Sequence, residues 1–201
     1  MQRTLVLVVC LAGAALIAAA ASLAVEGGTA SFLVNTTVPG ISVKGKSTAL
    51  QAQATFQRAA DGLRVENIRA SLPVNSIATG MSLRDEHMRR YIFTTSAGQA
   101  PDLHFDAAGA DCTPVSDHGA TYSCKVNGDL TIRGAPRPFS IALKVRADGS
   151  SYKASGEGVV KLSDYGIEQP SQFGVKTSNE IQLHLEFSGR SVEQIADGGR
   201  R

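Results

Sequence analysis

Residues 139 to 147 read FSIALKVRA: Phe139, Ile141, Leu143, Val145 and Ala147 share one parity, and Ser140, Ala142, Lys144 and Arg146 take the other. Successive side chains on a strand point to opposite faces. A period of two therefore predicts a strand with one face buried and one in water. The same pattern recurs along the chain. It carries Tyr122, Cys124, Val126, Gly128, Leu130 and Ile132, then Tyr152, Ala154, Gly156, Gly158, Val160 and Leu162. It appears again in Ile181, Leu183, Leu185 and Phe187, and upstream in Leu103, Phe105, Ala107 and Gly109. Arg133-Gly134-Ala135-Pro136 and Asp148-Gly149-Ser150 are short connections of the hairpin type. Strands this close together must run antiparallel, because a parallel pair needs a crossover of a dozen or more residues. The second half of the chain is thus predicted to be an antiparallel meander.

Residues 63 to 72 keep the alternation only by changing phase. Leu63 and Val65 share one parity and Ile68, Ala70 and Leu72 the other, which predicts a bulge. SLRDEHMRRYIF, residues 82 to 93, breaks the period and is read as one short helix. Ser82 with Asp85 three residues on resembles a capping box. From Gly189 the chain turns polar, and residues 189–201 are read as a loose tail.

The stretch PGISVKGKST, residues 39 to 48, matches the phosphate-loop pattern G-x-x-x-x-G-K-[ST] through Gly40, Gly45, Lys46 and Ser47. Such a loop needs a strand before it and a helix after it, whose first amides hold the phosphates. Phe32, Val34, Thr36 and Val38 alternate ahead of it, but so do Thr48, Leu50, Ala52, Ala54 and Phe56 behind it. A strand is predicted where the helix is required, so the match is read as a turn, with Lys44 and Lys46 in water.

Ahead of these strands lies an uncharged run, residues 5 to 25, preceded by Arg3 and ending in small residues. Residues 1–24 are read as an export signal, with cleavage after Ala21 or Ala24, or alternatively as an uncleaved anchor. Cys10 follows Val9, which does not suit a lipid-modified cysteine. The destination is then periplasmic or secreted, and membrane contact is expected only through a retained signal. Cys112 and Cys124 are left in the exported part, where they are expected to form a disulfide; two free thiols are the alternative. They flank a polar segment with His118 near its middle.

Four segments carry a family resemblance: LPVNSIATGMSLRDEHMRRYIF, PDLHF, VNGDLTIRGAPRPFSI and LSDYGIEQPSQFGVKTSNEIQLHLEF. Together, in this order, they resemble the exported YceI-like, polyisoprenoid-binding proteins, from about Ser31 to Phe187. The chain has Ser31 or Asn35 where members often carry a His, and it ends its helix in Ile92-Phe93 rather than in an aromatic pair. The resemblance implies an all-β fold over residues 25–188, an eight-stranded antiparallel lipocalin-like β-barrel with one short helix, holding a lipid chain inside.

The residues agree with that implication. Closing a sheet removes its edges, and about eight strands leave room for side chains or one small ligand. Phe32, Val34, Leu103, Phe105, Phe139, Ile141, Leu183 and Leu185 supply apolar wall on the inward parity. Ala52, Ala54, Ala107, Gly109, Ala154, Gly156 and Gly158 are small residues on the same parity. No Asp, Glu, Lys or Arg falls there, and such a space takes an apolar isoprenoid or fatty-acyl chain and rejects sugars or ions. The alternative for the small residues is tight strand bends.

Arg84, His87 and Arg89 on the helix are the head-group candidates, set against a plain charged helix face. His104 and His184 lie on the polar parity. No two His have metal-ligand spacing, so no metal is expected, and no cofactor. There is no G-x-S-x-G elbow and no catalytic set is predicted. A net charge of +2, no Trp and 5% aromatics give no case for nucleic acid. An exported non-enzymatic structural or stress-response barrel working through its surface is the other reading, and a homodimer is left open.

Overall fold

The computed structural model describes residues 21–59, 62–115, 121–172 and 174–193. Residues 1–20 of the 1–24 segment read as an export signal or anchor, the polar segment with His118, and residues 194–201 of the tail lie outside them. Each alternating run becomes a strand over most of its length, with Thr36, Val38, Thr48, Leu50 and Leu162 falling outside the strands. The order is β1 (Ala21–Asn35), β2 (Ser42–Ser47), β3 (Gln51–Ala59), β4 (Gly62–Leu72), α1 (Ser82–Met88), β5 (Leu103–Pro114) and β6 (Thr121–Ile132). Then follow β7 (Ala135–Asp148), β8 (Ser151–Lys161), β9 (Ser171–Gln172), β10 (Val175–Lys176) and β11 (Glu180–Glu193).

Hairpin neighbours pair in sequence order from β3 to β8, β8 pairs with β11, and β11 closes on β1. On its other side β1 meets both β2 and β3. Ala30 faces Ser47 and Ala24 faces Gln53, so one antiparallel register runs through the break at residues 48–50. With β2 and β3 as one interrupted strand, the wall is a closed eight-stranded antiparallel barrel. β9 and β10 form a small separate hairpin. Closure leaves no long exposed edge for another chain to pair with.

The turns follow their residues. Arg133 and Gly134, at φ 55° and 74°, form a two-residue turn between β6 and β7 with both central residues left-handed, the hairpin geometry that matches strand twist. The phase change in β4 falls at Asn67, φ 52°, beside a register shift against β3. The bulge is where the sequence places it.

The phosphate-loop match is the β1–β2 hairpin. Gly40 turns the chain at φ 80°, and the amide of Ile41 donates to the carbonyl of Val38 at 3.1 Å. No helix follows Ser47. Its buried hydroxyl lies 2.7 Å from that of Ser76 and accepts from the amide of Ala49 at 3.1 Å. Lys44 and Lys46 are exposed.

Three boundaries differ from the sequence reading. β1 begins at Ala21 rather than near Phe32, and Ser22, Leu23 and Ala24 pair with both β3 and β11. β11 continues through Gly189 to Glu193, because those residues face Ala21 to Val25. The helical segment is α1 followed by a π-helical turn, Arg89–Phe93. Its N-cap is Met81, and Ser82 forms no cap bond. The capping box is not made because Asp85 reaches back past the cap to Thr79 instead.

Candidate functional site

Two buried clusters stand at opposite ends of the barrel. One lies where β4, β6 and β8 finish and the helical segment crosses: Leu72, Val74, Ile77, Phe93, Ile132, Val160, Leu162 and Ile167. The other lies among the hairpin ends opposite: Phe56, Leu63, Cys112, Cys124, Val126, Ile141 and Tyr152. Cys112 faces Cys124 across β5 and β6, and the two are joined as a disulfide. Phe139 and Leu185 pack against both clusters and so mark the middle of the lumen, and Phe105 packs against the second cluster beside Phe139.

The inward wall residues named from sequence divide by burial. Val34 and Ile141 are buried, at 5% and 4% exposure. Phe32, Leu103, Phe105, Phe139, Leu183 and Leu185 are only half-buried although they pack against the clusters. Ala52 and Ala54 are half-buried and touch neither cluster; Val34 stands at the end of β1 outside both. The strand walls cover these side chains from outside. The side chains keep this partial exposure on the inward parity of the wall.

Not all small residues widen that space. A Cβ on Gly158 would stand 2.6 Å from Cζ of Phe139, and one on Gly156 would stand 2.2 Å from Cδ2 of Leu143. Gly45 and Gly128 are covered in the same way by the rings of Phe32 and Phe105. These glycines are seats for neighbouring side chains. Period two marks a residue as inward, but a ring's lean across strands is set by packing. The one signal in the sequence is that each such Phe sits on a strand next to a glycine-bearing one. Phe105 and Phe139 meet edge to face at 5.9 Å between ring centres.

The head-group candidates share the helical segment at one end of the barrel, and each has its own partners there. Arg84 is committed to the loop before its own helix: Nε donates to the Thr79 hydroxyl at 2.8 Å, and a terminal nitrogen donates to the Thr79 carbonyl at 2.6 Å. His87 stacks edge-on with Tyr91 at 6.1 Å. Arg89 is half-buried and acts on Asp85 through its charge. His184 sits on the outer face, 3.2 Å from Glu186. Among the described residues no three His, Cys, Asp or Glu side chains are grouped to hold a metal.

Asp85 itself fastens the helical segment. It accepts from the amide of Thr79 at 2.8 Å and from the Thr79 hydroxyl. The hydroxyl bond, with the amide and the charges of Arg89 and Arg84 behind it, outweighs burial and holds the carboxyl below its ordinary value. A carboxylate whose folded pKa is depressed adds stability above its unfolded value near 3.8 and loses it as pH falls through the folded value. Asp85→Asn is expected to cost about 1 kcal/mol at neutral pH. The gap from wild type should close as pH falls below 3.8 and through the carboxyl's lower folded value. Urea unfolding followed from acid to neutral pH checks this; a gap of constant size would show that the charge is not what holds Thr79.

A family model described as the YceI-like domain matches residues 22–188. A UPF0312 protein of Pseudomonas paraeruginosa is 29% identical over 130 residues, 62% of each chain. One of Yersinia pestis is 29% identical over 134 residues, 64% of each. The chain therefore spans somewhat less than two thirds of the length of these relatives. Among solved structures, BcnA of Burkholderia cenocepacia superposes with a TM-score of 0.59 at 18% identity, over 80% of this chain and 95% of that one. A polyisoprenoid binding domain from Saccharophagus degradans superposes equally well, TM-score 0.59 at 13% identity, over 85% and 98%. A YceI protein of Campylobacter jejuni gives 0.59 at 20% identity, over 78% and 89%.

Proposed function

The chain belongs to the YceI-like family, and from that premise we propose that it is an exported lipid-binding protein whose lumen holds a polyisoprenoid or fatty-acyl chain. One observation carries the proposal. Between two buried ends, inward apolar side chains from β1, β3, β5, β7 and β11 stay half-exposed. A protein interior normally packs to near crystal density, and side chains that keep access inside a closed wall leave room for apolar guest atoms. The polyisoprenoid binding named for the Saccharophagus degradans domain supports the same class of ligand. Export rests on the uncharged N-terminal run and the disulfide, and sequencing the N-terminus of the protein recovered from cells tests it.

The lumen is tested by native mass spectrometry on detergent-free protein, followed by lipid extraction. An adduct of apolar lipid mass is expected. Ala54→Trp is the matching variant: Ala54 faces Leu23 across β1 and β3 and lies in neither buried cluster. The indole fills part of the cavity, so lipid bound per protein should fall at least about fivefold, while strand content by circular dichroism is kept, as volume added to open space strains little. Equal loading in both proteins would place Ala54 away from the guest, and no lipid in either would end the carrier reading.

A second reading has its own observation. Ile41, Met81, Leu83 and Tyr91 are exposed by 52%, 57%, 59% and 60%. Large exposed apolar side chains suit contact with another protein. Concentration-dependent association that is lost in Leu83→Ser, with an empty lumen, would favour a surface-acting barrel.

A further inference from the structure

At several positions on the outer wall, cross-strand neighbours pair opposite charges. Arg64 faces Asp111, Arg69 faces Asp106 and Lys161 faces Glu180, each within ion-pair reach. On β7 and β8 the same register sets cation against cation: Arg146 faces Lys153, and Lys144 stands one outward position along β7. Like charges directly opposite destabilise a sheet. All three side chains are exposed, and none has an ion-pair partner among the described residues. They line a groove of about 760 Å³ that crosses β7, β8 and β11 to Gly27 of β1. Its one carboxylate among the described residues, Glu186, hydrogen-bonds His184.

We propose that this outer face docks the barrel on an anionic lipid surface, with headgroup phosphates taken into the groove between the cations. Two features select a bilayer as the occupant. Cations that are unpaired and concentrated on one wall match a sheet of phosphates, each contributing about fivefold to surface binding. The second feature is where the chain enters. Ser151, just past the β7–β8 turn, faces Arg190, and Arg190 faces Ala24. The start of β1 is therefore level with that turn, and residues 5 to 20 ahead of it are uncharged. An apolar leader held in a bilayer would bring this wall to the headgroups. The proposal uses outer side chains only, so its failure leaves the lumen reading untouched.

The test is co-sedimentation of the full chain with vesicles of phosphatidylcholine alone and with rising fractions of phosphatidylglycerol. Binding should rise with phosphatidylglycerol and fall with added salt, as screening predicts. Arg146→Glu removes one cation and gives Lys153 an acid to face. It should cut the phosphatidylglycerol-dependent part at least about 25-fold. Binding to neutral vesicles should be unchanged and the melting midpoint equal or higher, which separates lost docking from lost fold. Equal binding to both vesicle types overturns the proposal, as does an Arg146→Glu protein that still responds to phosphatidylglycerol. Inorganic phosphate that shifts the amide resonances of β7 and β8, without any vesicle binding, would replace it with a soluble-anion site.

Discussion

Phe93→Ala is expected to lower the unfolding free energy by about 3–5 kcal/mol, the range for removing a buried aromatic ring. Phe93 is 8% exposed and sits with Val74, Leu162 and Ile167 in the cluster that closes the helical end of the barrel. The π-helical turn that carries it is pinned from two sides. Arg133, in the β6–β7 turn, donates to the carbonyl of Tyr91, and the Thr94 hydroxyl donates to the carbonyl of Arg89 at 2.9 Å. Held this way, the segment cannot easily collapse into the space left by the ring, which puts the cost toward the upper part of the range. The melting midpoint should fall by about 6–20 °C. Because the ring helps to shut one end of the lumen, transfer of a bound fluorescent fatty acid to acceptor vesicles should also speed up. A midpoint shift below about 2 °C would mean that this end is not a core.

Opening the disulfide should be nearly as costly. Cys112 and Cys124 are 12 residues apart and both 3% exposed, packed with Leu63, Val126 and Tyr152. Cross-linking the ends of so short a loop removes about 3 kcal/mol of unfolded-state freedom. Reduction of the wild type is therefore expected to lower its melting midpoint by about 6–12 °C. A Cys112→Ala, Cys124→Ala variant should start from the lowered value and ignore reductant. A wild-type midpoint indifferent to reductant that demonstrably opens the bond would show that register alone holds β5 to β6.

The strands were legible because alternation is a property of near neighbours. Phe139 to Ala147 announce one buried face whatever lies across from them, and Arg133-Gly134 announces the turn because few residue pairs take two left-handed positions cheaply. The bulge at Asn67 was legible for the same reason, as a change of phase within one strand. The start of β1 was not. Ala21 to Val25 close an apolar run that reads as a leader, and they become strand because β3 lies on one side and Arg190, Ser191 and Val192 arrive on the other from the far end of the chain. The cap was misread on similar grounds: Ser82 and Asp85 have the right spacing, but Thr79 offers Asp85 both an amide and a hydroxyl.

The lumen was half legible. The inward parity of Phe32, Phe105 and Phe139 could be read, but not that each ring would cover a glycine of another strand, which turns apparent space into packing.

By itself the sequence determined which segments are strands, which of their faces is apolar and where the chain reverses, since each depends on residues within one strand or turn. Tertiary structure alone decided how far the wall extends at its seam, which small residues leave room and which seat a ring, and that Arg146 stands opposite Lys153. Those outcomes depend on register and lean between strands, and parity along one strand carries no information about either.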